Sequence, residues 1–167
     1  MPFSQPIRAP DGTPQFPPLK VANLLARARL LQRAAADGNT PLLLRGRNLG
    51  LLCEAQPDEA QALFRSATEQ LGARVAVMRS TLSLTSTAQQ VQNTARMLGH
   101  LYEAVECQGM DPALVASLGR HAGIPVFDGV AMKDHSVDQL AEVLGGSTPL
   151  ADNRRFLLQA LLLETIA

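Results

Sequence analysis

Four short apolar runs divide the chain, and a helical stretch follows each. The runs are Asn48–Cys53 (NLGLLC), Arg74–Met78 (RVAVM), Ala104–Cys107 (AVEC) and Ile124–Phe127 (IPVF). Asn48–Cys53 lacks the alternation of a half-solvated strand, so it reads as a strand buried on both faces. Apolar residues at helical spacing predict helices over Lys20–Ala36, Pro57–Leu71, Ala88–Gly99, Pro112–Ala122, His135–Leu144 and Asp152–Ile166. In the first of these, Leu24, Leu25, Ala28, Leu31 and Ala35 share a face; in the third, Val91, Ala95 and Leu98 do. Gly38, Gly72 and Gly145-Gly146 supply stops, and Asp111-Pro112 supplies an N-cap followed by proline at the first helical position. Strands alternating with helices predict an α/β fold: a three-layer sandwich with a four-stranded parallel sheet. Ligands in such sheets bind beyond the carboxyl ends of the strands. The loops at 54–58, 79–87, 107–111 and 128–135 are therefore the places to look.

The remaining features bound the function. At 167 residues, the chain suits one domain with an appendage. Residues 1–18 form a proline-rich arm, with Pro2, Pro6, Pro10, Pro14, Pro17 and Pro18, expected to be extended or mobile. Residues 19–167 form the single domain. Fifteen basic residues balance fifteen acidic ones, and all the basic ones except Lys20 and Lys133 are Arg. Zero net charge and scarce aromatics argue against a nucleic-acid partner. No apolar run is long enough for a membrane span, and the first residues lack a secretory h-region. A cytoplasmic protein is expected. Cys53 and Cys107 both lie in apolar segments and read as buried thiols.

Five segments, in order, resemble the carbamoyl-phosphate domain of ornithine and aspartate carbamoyltransferases. They are Leu44–Leu52 (LRGRNLGLL), Gln70–Val75 (QLGARV), Asn93–Leu98 (NTARML), Ala122–Gly129 (AGIPVFDG), and His135 with Gln139–Leu144 (QLAEVL). Asp152-Asn153-Arg154-Arg155 and Ala160–Ile166 resemble the family's closing helix, which returns from the second domain to pack on the first. The resemblance implies the N-terminal domain's fold plus that helix (152–166), with the amino-acid-binding domain between them deleted.

The resemblance also implies that the site is degenerate. The family's phosphate motif, S-T-R-T-R at a helix N-terminus, aligns with Pro57, Asp58, Glu59, Ala60 and Gln61. Helix amides and Arg side chains hold an anion there. Asp58 and Glu59 are expected in the first helical turn, where they suit the dipole but repel a phosphate. A like-charge pair at about 4 Å costs roughly 4 kcal/mol at an effective dielectric of 20. The Arg that polarises the carbamoyl carbonyl aligns with Gln108. The family's H-P-x-Q keeps His135 but aligns its Gln with Asp138. His135 reads as a cap or surface residue beside an exposed helix start. A metal cluster of His135 with Asp128, Asp134 and Asp138 is the weaker reading, since only spacing supports it.

The expected function is a catalytically degenerate carbamoyltransferase-like protein. Its role is structural or regulatory, and it forms a homo-oligomer (trimer favoured) or binds a partner protein. No cofactor, metal or carbamoyl phosphate binding is expected. The alternative is a small-molecule binder or transferase of altered specificity, using a residual cleft of Glu54, Gln108, His135 and Asp138.

Overall fold

The computed structural model describes residues 18–53, 57–133 and 135–166, with the backbone at 7–8 and 14–15. Two short strands, β1 (Ile7–Arg8) and β2 (Pro14–Gln15), pair antiparallel within the proline-rich arm. The rest of the arm lies outside the described residues. The domain then runs α1 (Pro18–Ala36), β3 (Asn48–Cys53), α2 (Glu59–Gln70), β4 (Arg74–Met78), α3 (Ala88–Leu101), β5 (Ala104–Gln108), α4 (Pro112–Ala122), β6 (Val126–Asp128), α5 (Ser136–Leu144) and α6 (Leu150–Ile166).

β3 to β6 form one parallel sheet in the order β4-β3-β5-β6. One face carries α1, α2, α5 and α6 over a core that includes Leu24, Leu51, Phe64, Leu71 and Leu157. The other carries α3 and α4 over Leu52, Val91, Leu98, Val105 and Leu118. The sheet is thus buried on both sides, as the unalternating apolar run of β3 requires. Strand order reverses between β3 and β5. In open α/β sheets the crevice at that reversal, beyond the strands' carboxyl ends, is where ligands bind.

The elements match the sequence reading in kind and order; the differences lie at their ends. α1 starts at Pro18 instead of Lys20, because proline suits a first helical turn. β6 spans Val126–Asp128, later than the predicted Ile124–Phe127, since Pro125 has no N–H for the ladder. α3 runs past Gly99 to Leu101, so that glycine is no stop. α6 begins at Leu150, two residues before the predicted Asp152.

α6 is buried almost all round from Phe156 to Leu163. It packs against α1, α2 and α5. Its first turn is held by a polar knot. Buried Asn153 donates to the carbonyls of Ala141 (3.3 Å) and Gly145 (3.0 Å). Gln32 of α1 donates to Gly145 O, Thr148 Oγ1 and Asn153 Oδ1. Further along, Gln159 donates to Ala67 O of α2 at 3.2 Å, and Arg27 of α1 pairs with Glu164. Among the described residues no helix is long and apolar enough to cross a membrane.

On the other face α3 and α4 approach so closely that only glycine fits. A Cβ added at Gly99 would lie 2.0 Å from the Ala122 carbonyl oxygen. Gly99→Ala is expected to lower stability by about 1–3 kcal/mol, since backbone cannot move aside as a side chain can. Gly119, inside α4, meets only Val126 at 3.8 Å. Gly119→Ala is expected to add about 0.5–1 kcal/mol. Urea denaturation of the two variants checks this opposition.

Candidate functional site

The carboxyl ends of β3 and β5 meet where Cys53 pairs with Gln108. α2 begins beside this point. Asp58 is the N-cap, with extended backbone, and its carboxylate accepts from the Gln61 amide at 2.9 Å. Asp58 therefore precedes the helix instead of lying in its first turn, and its charge is spent on an amide that would otherwise meet an anion. Glu59 is the first helical residue, and its side chain is 85% exposed. It pairs with Lys133 of the loop after β6 at 3.2 Å. That exposure and that partner screen it, so the 4 kcal/mol repulsion expected from the sequence does not apply. Gln61 is buried. Pro57 lies exposed before the cap, and Ala60 contributes its carbonyl to the contact described next.

Gln108 is turned inward. Its Nε2 donates to Ala60 O of α2 at 3.1 Å and to Glu106 Oε2 at 3.3 Å. Its buried Oε1 has no hydrogen-bond partner among the described residues. Glu106, at the middle of β5, is fully buried. Its Oε1 accepts from the Val130 amide at 3.1 Å and its Oε2 from the Ala131 amide at 3.0 Å. Gly129, at φ 65°, makes the left-handed turn that presents these amides. Burial pushes the Glu106 carboxyl up to about 7, although the amides of Ala131, Val130 and Gly129 and the Gln108 side chain favour its ionised form. Sequence reasoning missed this residue. The available signal was one carboxylate inside an otherwise apolar run of a sheet covered on both faces.

His135 and Asp138 frame the start of α5. His135 is the N-cap: its Nδ1 accepts from the Val137 amide at 3.2 Å, which places the ring proton on Nε2. The cap role expected from the sequence holds, but the site is buried and not an exposed helix start. Burial pulls the imidazole down to about 4, so it is neutral at physiological pH. Asp138 pairs with Arg154 of α6 at 2.5 Å. Glu54 lies outside the described residues, as does Asp134. Among the described residues no three His, Cys, Asp or Glu side chains form a group able to hold a metal. Cys53 and Cys107 are free, buried thiols, both pushed up chiefly by burial. A shallow depression of about 530 Å³ is lined by Ala62, Arg65, Ser66, Glu69 and Gln70 of α2, and none of the candidate residues lines it.

The fold is matched by known proteins. The profile of the aspartate/ornithine carbamoyltransferase, carbamoyl-P binding domain, covers residues 12–145. The chain belongs to this carbamoyltransferase family. It is 34% identical over 121 residues to an ornithine carbamoyltransferase of Actinobacillus pleuropneumoniae serotype 5b, covering 72% of this chain and 36% of that protein. It is 31% identical over 129 residues to a catabolic ornithine carbamoyltransferase of Mycoplasma capricolum subsp. capripneumoniae, covering 77% and 41%. The chain thus spans about two fifths of the length of these relatives. The ornithine carbamoyltransferase of Pyrococcus furiosus superposes with a TM-score of 0.65 at 21% identity, over 75% of this chain and 40% of that one. The catalytic subunit of M. jannaschii aspartate transcarbamoylase gives 0.63 at 16% identity, over 83% and 44%. The carbamoyltransferase N-domain fold expected from the sequence is therefore present.

The two buried titrating groups pull stability in opposite directions with pH. Glu106 binds its proton more tightly folded than unfolded. Its contribution is complete below about pH 4.5 and is lost as pH rises through about 7. His135 binds its proton less tightly folded. Its contribution is complete above about 6.5 and is lost as pH falls toward about 4. Each slope is about 1.4 kcal/mol per pH unit, so the two offset each other between about pH 4.5 and 6.5. Relative to the wild type, Glu106→Gln is expected to gain stability with rising pH across that window, and His135→Gln to lose it. Urea midpoints measured at several pH values check the sign of each difference.

Proposed function

We propose that this chain is a carbamoyltransferase-family domain that no longer catalyses carbamoyl transfer and acts as a cytoplasmic structural or regulatory protein. The observation that carries the reading is Gln108. The resemblance places it where the family's carbonyl-polarising arginine stands. Here the residue is neutral and its amide is committed inward, to Ala60 O and Glu106. Catalysis of acyl transfer needs preorganised positive charge aimed at the developing oxyanion, and Gln108 supplies none. The phosphate end is compromised in the same way, since Asp58 caps the Gln61 amide and Glu59 takes Lys133.

What the protein retains is a well-packed α/β core. We propose that it self-associates, with a trimer favoured, or binds a partner protein. A small-molecule role is the second reading, and the buried, unpartnered Gln108 Oε1 favours it, because it would accept from an amide or ammonium donor.

Two measurements test these readings. Calorimetry with carbamoyl phosphate is expected to show no binding, and tight binding or citrulline formation by the purified chain overturns the loss of catalysis. Heat from a basic amino acid, with none from carbamoyl phosphate, would move the assignment to the second reading. Light scattering at micromolar concentration is expected to return three chain masses; a strict monomer sinks the trimer.

A further inference from the structure

The end of α1 carries a reactive dipeptide that lies outside the crevice. Asp37-Gly38 follows the helix directly, and both residues are exposed. The chain has three Asp-Gly pairs and no Asn-Gly pair. Asp11-Gly12 lies outside the described residues, which leaves Asp37-Gly38 and Asp128-Gly129 to compare. Glycine sets the chemistry. With no side chain to crowd it, its amide nitrogen can reach the carboxyl carbon of the preceding aspartate and close a five-membered ring.

The two pairs share a backbone conformation and differ in what holds them. Gly38 has φ 71° and Gly129 φ 65°. The Gly38 amide donates to Ala35 O at 3.1 Å, and the Asn39 amide to Ala34 O at 2.8 Å. This is the Schellman closure of a helix end. Ala35, Gly38 and Asn39 are all exposed, so water replaces these bonds when the end frays. Nothing lies within 4 Å of a Cβ built on Gly38, which leaves room for the ring. Gly129 is buried, and its amide donates to Cys107 O of β5 at 2.8 Å. The Met132 sulfur lies 3.0 Å from where a Gly129 Cβ would stand, and the next residues, Val130 and Ala131, belong to the core. Freeing that nitrogen means lifting the loop out of the core.

We propose that Asp37-Gly38 is a self-modification site. The aspartate converts to isoaspartate there, and the modified chain becomes a methyl acceptor for an S-adenosylmethionine-dependent carboxyl methyltransferase. In the first step the Gly38 nitrogen bonds to Asp37 Cγ. The carboxyl hydroxyl leaves with the amide proton as one water, and a succinimide forms. In the second step water adds to one ring carbonyl, and the C–N bond on that side breaks. Cleavage at Cγ restores aspartate. Cleavage at the main-chain carbonyl leaves the chain running through Cβ and Cγ, with a free α-carboxylate. No oxidant or reductant takes part. The new carboxylate then takes a methyl group as an ester, and S-adenosylhomocysteine is released. The extra main-chain methylene falls in a connecting segment outside both cores, so the domain stays folded as it forms.

The test is to hold the purified full chain in heavy-oxygen water at neutral pH and body temperature for several weeks, with a guanidinium-unfolded sample beside it. Ring opening installs a heavy oxygen, which peptide mapping locates along with isoaspartate. In the folded chain, conversion at residue 37 is expected to exceed that at residue 128 by at least about tenfold, and in the unfolded chain the two should be comparable. A carboxyl methyltransferase of this class should then label the peptide holding residue 37 in the aged wild type and not in Asp37→Glu, whose longer side chain cannot close the ring. Equal conversion at 37 and 128 in the folded chain overturns the proposal. So does the same preference in the unfolded chain, which would assign it to local sequence, or an unlabelled residue-37 peptide in the aged wild type.

Discussion

Burial of α6 is the constraint on which the rest of the domain depends. Leu157, Leu158, Leu161, Leu162 and Leu163 are almost wholly inaccessible, and they share one core with α1, α2, α5 and the sheet. A helix buried all round cannot be a surface ornament. Removing it would strip the cover from Leu24, Phe64 and Leu51 at once. The polar groups of its first turn serve the same end. Asn153 satisfies two carbonyls where α5 stops, and Arg154 neutralises Asp138 as both leave water. Direction and register of the helix are thus set by hydrogen bonds, while its adhesion comes from apolar area.

The crevice shows the complementary principle. An open site would leave donors and acceptors free for a ligand. Here those of Asp58, Gln108 and His135 are mostly used internally: Asp58 and His135 each accept from an amide of the helix they cap, and Gln108 donates across to α2. Such bonds each contribute only about 1 kcal/mol net, but they leave fewer groups for an incoming anion. Glu106 is the exception in kind. Its charge is buried without an ion partner, which is costly, and the backbone amides only partly offset that cost. Groups carrying an uncompensated burial cost respond most strongly to pH, because changing protonation state relieves it.

Much of this was legible in the residues. Asp111-Pro112 marks the start of α4, and RVAVM marks β4. Caps, proline and short apolar runs act locally, so they are readable without the fold. Asp58 illustrates the limit. Its type suggested a helix start, but whether it lay inside the helix or just before it depended on where the chain entered, and α2 begins at Glu59. His135 illustrates another. Its role as a cap was readable, whereas its burial depends on what packs over it.

The sequence by itself determined the alternation of strands and helices and the kinship with the carbamoyltransferases. Each follows from local pattern or residue identity, which no packing can alter. Only the tertiary structure decided the partners: Glu59 with Lys133, Asp138 with Arg154, Gln108 with Ala60, and Glu106 with the amides of Val130 and Ala131. The members of these pairs lie up to 74 positions apart, as Glu59 and Lys133 do. Charge and hydrogen-bonding capacity are written in the chain, but distance is set by how the sheet orders its strands and how α6 closes over them.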